Sequence, residues 1–209
     1  MVAYIHSMQN RIALAFSALA LLAVPVQART TSQENAAAAP APAADLVQVR
    51  LDTEKGPILL ALDRGRAPVT VANFLRYVAA KRYDGIGFYR AMPYGEGNGL
   101  IQAGITKDAR LLYPAIAHEP SSKTGIKHEP GTILLANAGP GTGRSEFFIT
   151  LGAIPFGDDF APFGRVIEGM DVVKAIFASP VDPDKGAGPM KGQMLSPTIP
   201  IRTARQVEP

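Results

Sequence analysis

The amino-acid sequence predicts a mainly β protein whose antiparallel strands close, or nearly close, on themselves. From Gly87 onward, apolar residues come in bursts of four or five between glycines and prolines, the spacing of short strands joined by tight turns. Only two segments of the folded part read as helices. Many short strands with so few helices favour a closed all-β architecture.

Each element follows from its residues. Leu46-Val-Gln-Val-Arg-Leu51 alternates apolar and polar, as a half-buried strand does. Asp52-Thr-Glu-Lys-Gly56 is a turn cluster, and Pro57-Ile-Leu-Leu-Ala-Leu62 is a second strand, so the pair forms a hairpin. Pro68 opens a helix in which Val71, Phe74, Leu75 and Val78 share one apolar stripe, ending near Ala80. The bursts are Gly87–Arg90, Leu100–Ala103, Thr132–Ala136, Phe147–Thr150 and Phe163–Val166. A second helix fits Met170–Phe177. The last strand is Thr198–Arg202, where Pro200 suggests an edge or bulge. There is no internal repeat.

The chain has 209 residues, 47% hydrophobic and 19% charged, which is ordinary globular composition. Its 21 Lys and Arg exceed its 18 Asp and Glu, for a net charge of +3. These cations are scattered, with no run to neutralise a row of phosphates, which argues against nucleic acid as a partner. The absence of cysteine excludes disulfides, thiolate nucleophiles, zinc-thiolate sites and lipidated cysteine.

Residues 1–28 are expected to be a signal peptide. Met8-Gln9-Asn10-Arg11 is a short basic stretch, Ile12–Val24 is an apolar run, and Val26-Gln27-Ala28 offers a cleavage site. The 13 apolar residues rise only about 20 Å as a helix, short of a hydrocarbon core of about 30 Å. No stable membrane insertion is therefore expected after cleavage. Residues 29–45, with the Ala/Pro run 36–44, form a flexible linker with no large side chains to bury. Residues 46–209 are then one folded domain.

Common catalytic machinery is scarce. There is no Gly-x-Ser-x-Gly and no His-Glu-x-x-His. His118 and His128, each followed by Glu-Pro, lack metal-ligand spacing and read as structural or surface residues. Gly139-Pro-Gly-Thr-Gly143 reads as a tight turn, lacking the Lys-Ser/Thr sequel of a phosphate loop.

The informative segments are Phe88-Tyr-Arg90, Ile101-Gln-Ala-Gly104, the run from His128 to Pro140 that contains Ala136-Asn137, Ser145-Glu-Phe-Phe-Ile149, and Phe163-Gly-Arg-Val166. In this order and spacing they resemble the cyclophilin family of peptidyl-prolyl cis/trans isomerases, and the gap pattern looks most like its bacterial members. The resemblance implies a closed eight-stranded antiparallel β-barrel capped by two α-helices. It also implies roles by position. Arg90 would donate hydrogen bonds to the prolyl substrate, beside Gln102. Asn137 would pair its backbone with the peptide next to Ala136, and Phe148 would wall the proline pocket. Phe156 would stand where relatives have Trp or Phe. Phe147, adjacent on its strand, would point into the core.

Such residues suffice for the chemistry. Rotation about a peptide bond faces a barrier of about 18–20 kcal/mol, while the X-Pro isomers differ by only about 0.5–1 kcal/mol. No bond breaks, so no nucleophile, metal or cofactor is needed. An always-charged, multi-donor arginine favours the twisted state over either planar isomer.

Three departures alter the expected pocket. The stretch between Arg90 and Gln102 is longer than in relatives, with Gly99 in place of an aromatic, so Leu100 or Tyr94 must fill that wall. Glu146 replaces the usual Gln, putting a negative charge near Arg90. The segment 156–163 lacks the family's histidine, with Phe160 assigned to that position. These departures point to reduced or redirected activity. The sequence therefore predicts a monomeric, exported, periplasmic prolyl isomerase acting on proline-containing unfolded or partly folded exported proteins. The alternative is a non-catalytic module that holds proline peptides or serves as a chaperone.

Overall fold

A computed structural model describes residues 45–208. The expected signal peptide, and all of the expected linker but Asp45, lie outside the described residues. In chain order the elements are β1 (Leu46–Thr53), β2 (Gly56–Asp63), α1 (Pro68–Ala79), β3 (Gly87–Pro93), β4 (Gly99–Ala103), α2 (Ser121–Thr124), β5 (Thr132–Leu135), β6 (Phe147–Thr150), β7 (Ala161–Glu168), α3 (Met170–Phe177), β8 (Val181–Asp182) and β9 (Met194–Val207). The strand order β1-β2-β7-β5-β6-β4-β3-β9 returns to β1, which closes an eight-stranded antiparallel barrel, and β8 adds a short ninth strand along β9.

Alternation builds the barrel interior. Val47, Val49 and Leu51 of β1 face inward with Ile58, Leu60 and Leu62 of β2, while the residues between them on β1 remain accessible. The buried stripe of α1 packs on this core through Phe74. Its ring lies 5.3 Å from both Phe147 and Phe163 and 4.9 Å from Tyr83. Each such fully buried large side chain contributes about 2–3 kcal/mol by leaving water.

The central strands are buried on both faces. Ile133, Leu135, Phe147 and Ile149 enter the main core, whereas Leu134, Phe148 and Leu100 form a separate small cluster on the outer face. That outer face carries the site described below.

The structure extends the sequence reading in three places. β9 spans 14 residues where five were expected, because its prolines conceal a strand that pairs with β1 and β3 at its two ends. Pro200 lies in no edge strand; it sits where the β3 pairing gives way to the β1 pairing, next to a bulge at Asp52/Thr53. The single turn α2 and the two-residue β8 are too short to leave a periodic signal.

The first turn of α1 is capped from a distance. Val69 N–H, Thr70 N–H and the Thr70 hydroxyl all donate to the Glu119 carboxylate, at 3.3, 2.8 and 2.8 Å. Ala67, at the N-cap position, has no side chain to do this. Glu119 is buried, so Glu119→Ala strands three donors and is expected to lower unfolding free energy by about 2 kcal/mol. Chemical denaturation measures it, and an unchanged midpoint would contradict the assignment.

Candidate active site

One cross-strand row sets up the site. In register, Arg90 of β3 faces Gln102 of β4, Gln102 faces Phe148 of β6, and Phe148 faces Leu134 of β5. All four therefore share the outer face of the sheet. A bulge makes this possible. Phe88 and Arg90 have the same parity, yet Phe88 is fully buried in the core and Arg90 faces out, because the register shifts between them at Tyr89.

The apolar half of the site is a cluster of three phenylalanines. Phe148 lies 5.5 Å from Phe156 and 5.0 Å from Phe160, and Phe156 lies 5.0 Å from Phe160, all edge to face. Leu100, Met92 and Ala136 complete it. The wall opposite is polar. Arg90 Nη1 donates to Gln102 Oε1 at 2.9 Å and Arg90 Nε donates to Gln193 Oε1 at 2.8 Å. Its second terminal nitrogen, Nη2, has no partner among the described residues and remains a free donor. Burial pushes the Arg90 pKa down, against the attraction of Glu146, yet a guanidinium stays charged at any physiological pH.

Glu146 makes no ion pair with Arg90; Gln102 lies between them. Gln102 Nε2 donates to Glu146 Oε2 at 3.0 Å, and the Tyr89 hydroxyl donates to the same oxygen. A carboxylate only accepts, so Gln102 must turn its NH₂ to Glu146 and its carbonyl to Arg90. Glu146 thus fixes the amide that holds the arginine. Burial first, and the Glu146 hydrogen bond second, push the Tyr89 hydroxyl well above the usual phenol range and keep it protonated. Gly104 makes room for this arrangement: a Cβ there would stand 2.6 Å from Cα and Cγ of Glu146.

All eight residues expected at the site, Arg90, Gln102, Phe148, Asn137, Leu100, Ala136, Phe156 and Phe160, line one groove of about 620 Å³. The Asn137 side chain is structural: Nδ2 donates to Asp159 O at 2.9 Å and Oδ1 accepts from Gly139 N–H at 2.9 Å. Its main-chain N–H and C=O have no partner among the described residues, which leaves them to the groove. The wall beside Gly99 is filled by Leu100, 3% exposed, whereas Tyr94 is 45% exposed and outside the groove. An aromatic cannot replace Gly99, since its Cβ would stand 2.5 Å from Phe177 Cε2 and closer still to the Met92 carbonyl. Gly139–Gly143 is a tight turn, closed by Thr142 N–H donating to Gly139 O at 3.1 Å.

Sequence reasoning missed Gln193, Met190 and Met194. Met190 and Met194 line the groove and Gln193 holds Arg90; they come from the Gly-rich approach to β9 and its first residue, more than ninety residues from Arg90, and no local pattern marks them. Gln193 is itself held, donating Nε2 to Pro189 O at 2.8 Å.

The two histidines buttress the aromatic wall. His118 Nε2 lies 2.7 Å from Asp158 O, and His128 Nε2 lies 2.7 Å from Ser121 Oγ, with its ring 6.1 Å from Phe156. Burial pushes the His128 pKa below the ordinary 6.5. The folded protein then binds fewer protons here than the unfolded chain. Stability is complete above about pH 6.5 and falls as pH drops from there through the depressed folded value. The thermal midpoint should decrease as pH is lowered below about 6.5, and His128→Gln should flatten that decrease. An unaltered slope would show that His128 is not its source.

The family model for cyclophilin type peptidyl-prolyl cis-trans isomerase/CLD matches residues 46–204. A peptidyl-prolyl cis-trans isomerase-like 1 of Rhizopus delemar is 39% identical over 139 residues, covering 61% of this chain and 78% of that one. A peptidyl-prolyl cis-trans isomerase of Streptomyces antibioticus is 34% identical over 139 residues, covering 61% and 81%. Among solved structures, a Cryptosporidium parvum cyclophilin type peptidyl-prolyl cis-trans isomerase superposes with a TM-score of 0.66 at 22% identity, covering 78% of this chain and 99% of that chain. The same Cryptosporidium protein, in the presence of the dipeptide Ala-Pro, gives a TM-score of 0.64. At that identity the structures speak for the fold.

Proposed function

This chain belongs to the cyclophilin type peptidyl-prolyl cis-trans isomerase family, and we propose that it accelerates rotation about X-Pro bonds in exported polypeptides without a covalent intermediate or cofactor. The observation that carries the reading is the free Nη2 of Arg90, whose Nε and Nη1 are held by Gln193 and Gln102 in the groove that contains the three-phenylalanine pocket.

The proline ring seats against Phe148, Phe156 and Phe160, and the peptide backbone pairs with the unpartnered main chain of Asn137. As the X-Pro bond twists, amide resonance is lost and the lone pair localises on the proline nitrogen. Arg90 donates to that nitrogen. The interaction strengthens only in the twisted state, so it lowers the barrier rather than tightening ground-state binding. Gln102 and Gln193 fix the guanidinium beforehand, so little reorganisation remains at the moment of rotation. What the pocket supplies is an apolar seat for the ring and one unpaired donor beside it.

Export rests on the N-terminal pattern of a short basic stretch, an apolar run and a small-residue exit, which supports cleavage after Ala28 and delivery to the periplasm. Residues 29–45 then tether a folded domain spanning 46–209. Mass analysis of the protein recovered from its native host should give a chain beginning at Arg29; an intact Met1 or Met8 start would refute export by cleavage. The activity is tested on a denatured protein whose slow refolding phase is limited by one X-Pro bond. Substoichiometric enzyme should accelerate that phase, and an unchanged slow phase would contradict the reading.

A further inference from the structure

The cations that are scattered in sequence converge in space on one flank of the groove. Arg76 and Arg82 both stack on the Tyr113 ring, their Cζ atoms 3.7 and 3.9 Å from its centroid. At those distances the two guanidiniums can only occupy opposite faces of the ring. Arg76 Nη2 also reaches the Asn73 Oδ1 at 3.4 Å, and the Asn73 Nδ2 donates to the Arg144 carbonyl at 2.6 Å. Arg144 lines the groove, as does Leu112 beside Tyr113. Arg82 lines a neighbouring cleft of about 330 Å³ together with Lys107, and that cleft shares Tyr89, Ile105 and Thr106 with the groove.

Among the described residues, none of Arg76, Arg82, Lys107 and Arg144 has a carboxylate within 4.0 Å. The acids of the cleft are engaged elsewhere, Asp84 by Arg205 and Asp108 by Arg110. Glu146, the acid of the groove, accepts from Tyr89 and Gln102. Arg76 and Arg82 are thus held together by the Tyr113 ring with no carboxylate among the described residues paired to either, while Arg144 lines the adjoining groove and Lys107 the adjoining cleft. Because the nearby carboxylates are already paired, they offset this positive potential only in part, and an anion from outside would find an unpaired partner here.

We propose that this basic wall is a subsite for acidic side chains flanking the proline, so that clients carrying Asp or Glu close to the X-Pro bond are preferred. The inference rests on the prolyl-isomerase reading of the adjoining groove. A peptide is favoured over a lipid surface because the wall is continuous with that groove, and a chain leaving it runs past Arg144 and Leu112.

The test compares X-Pro peptides flanked, on one side or the other, by four Glu or by four Gln, using exchange NMR at about 20 mM and 500 mM salt. One of the Glu-flanked peptides should be turned over about five-fold more efficiently at low salt, and the advantage should vanish at high salt. The double variant Arg76→Gln, Lys107→Gln should abolish the advantage and leave turnover of the Gln-flanked peptides unchanged. Equal turnover of Glu and Gln peptides, or an advantage that survives the double variant, overturns the proposal. Should no peptide be isomerised, the isomerase reading fails, and shift titrations of the same peptides decide the subsite: tighter Glu-peptide binding, lost in the double variant, sustains it, and equal binding overturns it. Binding to phosphatidylcholine/phosphatidylglycerol vesicles with no preference among the peptides would assign the wall to a lipid surface and overturn it as well.

Discussion

Arg90→Ala is expected to lower kcat/KM for an X-Pro peptide by about 100- to 1,000-fold, the range for losing one transition-state donor, while peptide affinity changes by less than about three-fold. The asymmetry is the content of the prediction. The phenylalanine pocket is formed by β4, β5, β6 and the 156–160 segment, none of which needs the guanidinium for its packing. Ground-state binding should therefore survive. What disappears is the free Nη2, the donor proposed to meet the proline nitrogen as it gains electron density. Arg90→Lys should recover little, because Gln193 and Gln102 are held from two separate atoms of the planar fork, Nε and Nη1, whereas an ammonium offers its three N–H groups from a single nitrogen and cannot reproduce that spacing. Loss of affinity in step with turnover would instead make Arg90 a binding residue.

Phe148→Ala should have the opposite signature. Phe148 is only 2% exposed and lies edge to face with both Phe156 and Phe160, so its removal opens the floor of the pocket and frees both neighbours. KM is expected to rise about 30-fold or more, with kcat falling less, because the bound proline loses its apolar contacts in every state of the reaction. Stability should fall by about 2 kcal/mol, less than for a barrel-interior phenylalanine, since water can fill a cavity open to the groove. Phe147→Ala is the control. That ring is fully buried among Phe74, Tyr83 and Phe88, so its loss should cost about 3–5 kcal/mol without redirecting the pocket.

Much of this was legible in the sequence, and the reasons are local. The alternation of Leu46–Leu51, the α1 stripe and the Phe147–Thr150 burst each report their own burial, so β1, α1 and β6 fall where expected. β9 was mostly hidden, because Pro197 and Pro200 mask a strand that is held by different neighbours at its two ends. In the groove, Arg90, Gln102 and Phe148 stand in one cross-strand row, which short motifs in register can reveal. Gln193 cannot be found that way. It reaches Arg90 from a separate stretch of chain, through a contact that depends on how β9 closes the barrel. The effect of Glu146 was also unreadable in kind: a negative charge two positions before Phe148 looks like a partner for Arg90, but Gln102 intervenes and turns it into a clamp. The basic wall was illegible for the same reason, since Arg76, Arg82, Lys107 and Arg144 are neighbours only after folding.

The groove is proposed to catalyse rotation rather than merely to hold proline. Two-dimensional exchange NMR on an X-Pro peptide with catalytic amounts of the protein tests it in one sample. Cis–trans exchange cross-peaks are expected at low protein, and they should vanish in Arg90→Ala while the peptide shifts persist. Peptide shifts without exchange cross-peaks in the wild type would contradict it and make the groove a binding site alone.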